Sequence, residues 1–176
     1  RAFVPEAWLR GAISRSPAAN QLHGRQDTGS RDHGHSEPVT PRNTNTGGVL
    51  EAMVVPALAR GQYECTVQVR VGTRCGGGTH KVDAVAQKDG LKTLVSLKWQ
   101  QTGGTAEQKV PFEVMCLADA VRGGHADRAY LVLGGDGWSL RDYYTSGALA
   151  AHLLHSALVR VVTLEAFIRL ANNGQL

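Results

Sequence analysis

The sequence contains few cysteines and no hydrophobic run long enough to cross a membrane. Its three cysteines, Cys65, Cys75 and Cys116, have no metal-ligand spacing and cannot all pair with one another. A reducing, cytoplasmic compartment is therefore expected rather than a disulfide framework. The most apolar stretch, residues 148–162, is interrupted by two histidines and one arginine, and it is shorter than a membrane span. These absences favour a soluble globular protein without a membrane partner.

Several common functional motifs are also missing. The glycines at 76–78 are not followed by Gly-Lys-Ser/Thr, so a flexible loop is expected there and not a phosphate-binding loop. Ser139 and Ser146 have histidines nearby but no nucleophile-elbow context, which argues against a serine hydrolase. The pair in His33-Gly34-His35 has no further ligands at zinc-site spacing and is expected at the surface.

What remains is a chain of 176 residues with 42% hydrophobic residues, a net charge of +4 and a pI near 9.2. That length is sufficient for one domain with a core and a polar arm, and the mild basic excess suits a polyanionic partner. Residues 1–47 begin with a short apolar stretch, 2–13, but continue as a polar segment that cannot form a core of its own. They are expected to be either a surface arm or long loop, or an arm that contacts DNA phosphates through its arginines. Those arginines are Arg15, Arg25, Arg31 and Arg42.

The strongest local signal is a β-hairpin over residues 81–99. Asp89-Gly90 separates two strand-like runs and is typical of a two-residue turn, because both turn positions need positive φ. Counting outward from this turn places Asp83 opposite Ser96. Since strand side chains alternate between faces, Ser96 and Lys98 share one face. The hairpin is therefore predicted to bring an acid, a hydroxyl and a lysine to one patch of an otherwise apolar sheet.

This pattern resembles the PD-(D/E)XK nuclease superfamily, whose fold is a mixed sheet flanked by helices. Asp83 matches the first acid of the family motif and Lys98 matches its lysine, whereas Ser96 occupies the position of the second acid. Some restriction enzymes of this superfamily carry Ser-x-Lys and place the missing carboxylate on the following helix. The motif is short and degenerate, and the resemblance covers roughly residues 48–165.

The remaining patterns predict an α/β domain over residues 48–176 with the element order αβββαβαβα. Alternation of Tyr63, Cys65, Val67, Val69 and Val71 predicts a strand with these residues on one face. Two capping boxes, one at Thr105 and Gln108 and one at Ser139 and Asp142, predict helix starts. The predicted helices are 49–60 with a kink at Pro56, 105–121, 139–155 and a last one capped by Thr163 and ending at 172–174, and the other strands are 128–133 and 158–162.

The position of the missing carboxylate follows from element geometry. The strand continues about 10 Å beyond Lys98, and a right-handed crossover sends the next helix back antiparallel to it. Recovering that distance at the helical rise takes about seven residues from Thr105 and reaches Glu113. Glu107 is the alternative, about a turn and a half earlier. Glu51, on the first helix, matches a place where many members of the superfamily have an additional acid.

The resemblance implies a Mg²⁺-dependent DNA endonuclease, with Mn²⁺ as a possible substitute. Asp83, Glu113 and the Leu97 carbonyl would bind the metal, Lys98 would orient the attacking water, and Ser96 would hold a metal-bound water. A restriction-type enzyme that cuts double-stranded DNA as a homodimer is the leading expectation. A homing or repair endonuclease, or an inactive DNA-binding module of the same fold, is the alternative.

Overall fold

A five-stranded mixed sheet forms the centre of residues 45–176, the part of the chain that the computed structural model describes. The strands lie in sequence order, with antiparallel pairing from β1 to β3 and parallel pairing from β3 to β5. This arrangement confirms the predicted mixed sheet. The strands are β1 (Glu64–Thr73), β2 (Thr79–Lys88), β3 (Leu91–Trp99), β4 (Arg128–Gly134) and β5 (Val159–Thr163).

Helices cover both faces of the sheet and enclose two apolar clusters. One cluster lies under α3 and α4 and includes Leu94, Val114 and Leu131. The other lies under α2 and α5 and includes Leu58, Val95 and Phe167. No helix of the described part is long and apolar enough to cross a membrane. The helices are α1 (Asn45–Val49), α2 (Val55–Arg60), α3 (Ala106–Arg122), α4 (Arg141–Thr145) and α5 (Leu164–Asn172).

In the first helical segment, a π-helical turn lies directly before Pro56. A π-helical turn, Leu50–Val54, separates α1 from α2, and the N–H of Val55 bonds to the carbonyl of Leu50. Proline has no N–H to give to a helical hydrogen bond, and Pro56 follows directly after this π-helical turn, in the first turn of α2. The predicted arm over residues 1–47 lies almost entirely outside the described residues and stays a prediction.

The β2–β3 hairpin has the predicted turn and register. Asp89 and Gly90 both have positive φ, at 52° and 78°, and Lys88 pairs with Leu91. The antiparallel ladder then continues as far as Ala84 and Val95. Asp83 is therefore the first residue of β2 beyond the ladder, which makes it the point where the two strands separate.

The alternating residues of strand β1 do not all lie on one face of the sheet, contrary to the prediction from the sequence. Cys65 packs with the cluster under α2 and α5, whereas Val69 and Val71 pack with the cluster under α3 and α4. Gln68, between them, has a φ of 56°, a left-handed conformation that interrupts strand alternation. The neighbouring strand is irregular at the same level, since Val82 and Ala84 also belong to opposite clusters. This shared irregularity lies at Asp83.

The predicted helix over 139–155 is wrong, and so are both capping boxes. Only Arg141–Thr145 is α-helical, and two short 3₁₀ turns follow it. Left-handed residues at Gly147 and His155 break the helix. No side chain of its own caps α4, and the first turn of α3 is instead held by Gln100, whose Oε1 accepts the Ala106 N–H at 3.0 Å. The Thr163 cap of α5 is present, with an Ala166 N–H bond of 3.2 Å.

Candidate active site

The site begins where β2 and β3 separate. The carboxylate of Asp83 accepts a hydrogen bond from the backbone N–H of Leu97 at 2.6 Å, so a side chain continues the bonding where the strand ladder has ended. The N–H and C=O of one strand residue point towards the same neighbouring strand. The carbonyl of Leu97 therefore faces the same gap as Asp83. One carboxylate and one carbonyl thus converge at the opening of the hairpin.

Three side chains meet on the face of β3 that α3 covers. Ser96 Oγ donates to Glu113 Oε1 at 2.7 Å, and Lys98 Nζ donates to Ser96 Oγ at 3.1 Å. Lys98 also forms an ion pair of 3.4 Å with Glu113 Oε2. The carboxylate of Glu113 therefore lies beside both Ser96 and Lys98.

Glu113 is a buried but ionised carboxylate. Its residue is only 4% exposed, and this burial by itself raises the pKa. The opposing effects of the neighbouring His80 imidazole, the Lys98 ammonium and the Ser96 hydroxyl outweigh it and lower the pKa of Glu113 to about 2. The site consequently holds a fixed negative charge throughout the neutral pH range.

His80, on β2, is a neighbour of Glu113 that the sequence patterns did not reveal. Its side chain is fully buried, and Nε2 lies 3.7 Å from Glu113 Oε1, which is beyond hydrogen-bond distance. Neither ring nitrogen has a hydrogen-bond partner among the described residues. A lone histidine between the exposed Thr79 and Lys81 carries no sequence signal of this kind, because only the tertiary fold brings it to α3.

The two alternative acids lie elsewhere. Glu107 accepts hydrogen bonds from the backbone N–H groups of Ser139 and Leu140, the latter at 2.9 Å, and so fixes the start of α4. Glu51 is exposed in the π-helical turn and does not line the cleft beside Asp83. Of the three candidate glutamates, only Glu113 contacts the Ser-x-Lys motif.

A cleft of about 490 Å³ opens over Asp83 and Lys98. Lys98 is 23% exposed, so its ammonium can reach both the buried Glu113 and a molecule in the cleft. Lys109, on α3, contributes a second ammonium and was not expected from the sequence. It lies one turn before Glu113, and no ion-pair partner is found for it within residues 45–176. The cleft is lined in part by Gln68, Asp83, Leu97, Lys98, Trp99 and Lys109.

The donor set suits a hard divalent cation. Asp83, Glu113 and the Leu97 carbonyl offer oxygen atoms only, which is the preference of Mg²⁺ and Mn²⁺. Within the described residues, no three His, Cys, Asp or Glu side chains form a metal-binding cluster. Mg²⁺ usually keeps several waters and binds through one or two carboxylates, so two acids and a carbonyl are sufficient. The donor types therefore fit such an ion; Asp83 and Leu97 line the cleft, whereas Glu113 is buried behind Lys98 and does not line it.

A family model decides the assignment. The model of the PD-(D/E)XK nuclease superfamily domain matches residues 42–175, almost the whole of the described chain. The chain belongs to the PD-(D/E)XK nuclease superfamily. Its domain is accordingly of the PD-(D/E)XK nuclease type, and divalent metals are the usual cofactors of that superfamily.

Solved structures similar to this nuclease domain are distant. A protein of unknown function, AF1548, is 15% identical with a TM-score of 0.40, covering 62% of this chain and 54% of its own. SfsA of Pyrococcus furiosus, solved in complex with Ca²⁺, is 14% identical with a TM-score of 0.36, covering 65% and 52%. The chain thus spans about half the length of these proteins. None of the curated proteins matches the sequence.

Proposed function

We propose that this nuclease domain is a Mg²⁺-dependent DNA endonuclease, with Asp83, Glu113 and Lys98 as its catalytic groups. The observation that most supports this proposal is the contact of Glu113 with both Ser96 and Lys98, at 2.7 and 3.4 Å. It supplies, from α3, the carboxylate that the Ser-x-Lys motif lacks. In this proposal, Glu113 on α3 does the work of the second acid that a Ser-x-Lys motif does not contain.

Asp83, Glu113 and the Leu97 carbonyl would hold the ion. When bound, a divalent ion polarises the scissile phosphate and lowers the pKa of the attacking water. The hydrogen bond from the Leu97 N–H fixes the orientation of Asp83, while Ser96 fixes that of Glu113. Both carboxylates are therefore held in place before substrate binds.

Lys98 supports the displacement at phosphorus. Water oxygen forms a new bond to phosphorus, the bond to the leaving oxygen breaks, and the water proton is given up to solvent. The ammonium of Lys98 can orient this water and stabilise the negative charge that builds on the phosphoryl oxygens. Its partial exposure and its contact with Ser96 place it at the boundary between the buried acid and the cleft.

The proposed substrate is double-stranded DNA, and the proposed assembly is a homodimer. A two-fold dimer presents two identical sites to the two strands of a duplex, which suits a restriction-type enzyme. The rival is an inactive DNA-binding module. The observation that favours the rival is that both oxygens of Glu113 already have protein partners, although each carboxylate oxygen can accept two bonds.

Cleavage of a mixed plasmid and phage DNA panel with Mg²⁺ or Mn²⁺ tests the proposal. We expect Asp83→Asn to lower cleavage at least a hundredfold, because the amide keeps the bond from Leu97 but loses the charge that binds metal. Asp89→Asn is the matched control. It makes the same change in the hairpin turn, where asparagine tolerates the left-handed conformation, and should cut like the wild type.

Calorimetric titration with Mn²⁺ separates the two candidate functions. Metal binding by the wild type that is lost in Asp83→Asn supports the nuclease. A wild type that binds duplex DNA in a salt-sensitive way, yet binds no Mn²⁺ and cuts no DNA in the panel, would establish the inactive module instead. Equal cutting by wild type and Asp83→Asn would show that the site lies elsewhere.

Lys109 is expected to contact a DNA phosphate beside the cleft. Its ammonium lies on the cleft wall and is exposed, and a lysine that binds a phosphate releases one condensed counterion. Lys109→Ala should weaken DNA binding for all sequences alike and reduce the slope of log affinity against log salt by about 1. Lys92→Ala, which removes an exposed lysine on the far end of β3, should leave the slope unchanged. If the slope of log affinity against log salt were the same for both variants, Lys109 would not contact the DNA.

A further inference from the structure

His80 is the buried polar group of this region that the proposed mechanism leaves unused. It is 0% exposed, and neither ring nitrogen has a hydrogen-bond partner in the described part of the chain. Burying a polar group without a partner costs roughly 1–3 kcal/mol. A leucine of similar volume would avoid this cost, so packing alone gives no reason for an imidazole at this position.

The contacts of Glu113 supply a reason. Of its two close partners, Ser96 is buried whereas Lys98 reaches the cleft. If Lys98 turns its ammonium to a phosphate, Glu113 loses its nearest protein cation while its carboxylate stays buried. A divalent ion would replace that charge, but Oε1 of Glu113 would keep only the hydrogen bond from Ser96. A second buried donor to Oε1 would then hold the carboxylate in position.

His80 is placed to be that donor. Its Nε2 is 3.7 Å from Glu113 Oε1, so a shift of about 0.7 Å would bring it to ordinary hydrogen-bond distance. We propose that His80 is a positioning residue that donates its Nε2–H to Glu113 when Lys98 moves from Glu113 to the substrate phosphate. The inference rests on the proposed function for the role of Lys98, but the exchange of partners can be measured without cleavage.

A double-mutant cycle measures the exchange in the absence of DNA. Lys98→Met removes the ammonium and imitates its departure. In the wild-type background, His80→Leu should change the urea midpoint little, because the lost attraction to Glu113 is offset by the removal of a buried group without a hydrogen bond. In the Lys98→Met background, the same change should lower the midpoint clearly, because His80 then bonds to Glu113. A decrease of the same size in both backgrounds would overturn the inference.

Cleavage adds the functional readout. His80→Leu should lower kcat about tenfold while the affinity for DNA is unchanged, because the loss falls on the orientation of Glu113. His80→Gln should restore most of kcat, since a glutamine amide offers an N–H at a similar reach. Equal kcat for His80→Leu and His80→Gln in folded protein would overturn the role in catalysis.

The double-mutant cycle and the cleavage assay together also separate this inference from the proposed function. A larger decrease of the midpoint in the Lys98→Met background, with no cleavage by the wild type under any metal, would retain His80 as the second hydrogen-bond partner of Glu113 and reject the nuclease. Cleavage by the wild type with equal decreases in both backgrounds would retain the nuclease and reject the role of His80.

Discussion

Glu113→Gln is expected to lower DNA cleavage at least a hundredfold per folded molecule. The change keeps the shape of the side chain and an oxygen for the Ser96 hydroxyl, but it removes the charge that the metal and Lys98 require. Removing a single group that stabilises charge in a transition state typically costs 10²–10³ in rate. Mn²⁺ affinity should fall with it, since one of only two carboxylates in the donor set is lost.

Glu107→Gln is the matched control for this prediction. It makes the same substitution on the same helix, at the acid that was the alternative to Glu113. Its oxygen accepts backbone hydrogen bonds from Ser139 and Leu140, and a glutamine oxygen can still accept them. Cleavage should therefore stay near the wild-type rate, with a loss of stability of about 1 kcal/mol at most. Strong inactivation by Glu107→Gln together with an active Glu113→Gln would exchange the two assignments.

Glu113→Gln also needs a check on folding, because breaking a buried ion pair can cost about 3–5 kcal/mol. Circular dichroism and urea unfolding would give the folded fraction, to which the rate is then referred. An inactive but fully folded Glu113→Gln that still binds Mn²⁺ like the wild type would contradict a role in metal binding.

The sequence was informative about this region wherever local geometry determines the structure. Asp89-Gly90 determined the turn, the turn determined the register, and the register placed Asp83 opposite Ser96, one position beyond the last pair of the ladder in the structure. The position of Glu113 followed from strand and helix rise alone, although Pro111 interrupts the helix. These inferences needed only repeat distances and chain direction.

The errors arose where tertiary contacts override local preference. The alternation in β1 could not show the left-handed Gln68, because nothing in the side-chain pattern marks a backbone conformation that the neighbouring strands impose. The capping motifs failed because other side chains supply the hydrogen bonds: Gln100, directly after β3, for α3, and Glu107, far away in sequence, for α4. His80 was invisible for the same reason, since its neighbour is 33 positions away in sequence and meets it only in the fold.

The pKa of Glu113 leads to a second large effect, on stability in acid. The carboxyl has a pKa of about 2 in the folded protein against 4.5 in its unperturbed state. Because the folded value is the lower one, the unfolded chain takes up the proton first as the pH falls. The contribution to stability is therefore complete above about pH 5 and is lost as the pH falls from there towards 2.

The size of this effect follows from the linkage between proton binding and folding. A difference of this size corresponds to about 3 kcal/mol, of which about 2 kcal/mol should be lost by pH 3. Urea unfolding of wild type and Glu113→Gln between pH 6 and pH 3 would measure it as the difference between the two curves. The wild type should be the more stable at pH 6, and the gap should narrow by about 2 kcal/mol at pH 3.

Lys98→Met tests the same prediction in a second, independent way. The ammonium of Lys98 is one of the groups that lower the pKa of Glu113, so its removal should raise that pKa and move the acid-induced loss of stability to higher pH. Burial, which by itself raises the pKa, is unchanged in the variant and would then be opposed only by Ser96 and His80. A gap between wild type and Glu113→Gln that does not change with pH would mean that the carboxyl is not held ionised by these contacts. The active-site assignment would then lose its electrostatic basis, because a protonated Glu113 could neither bind a divalent ion nor pair with Lys98.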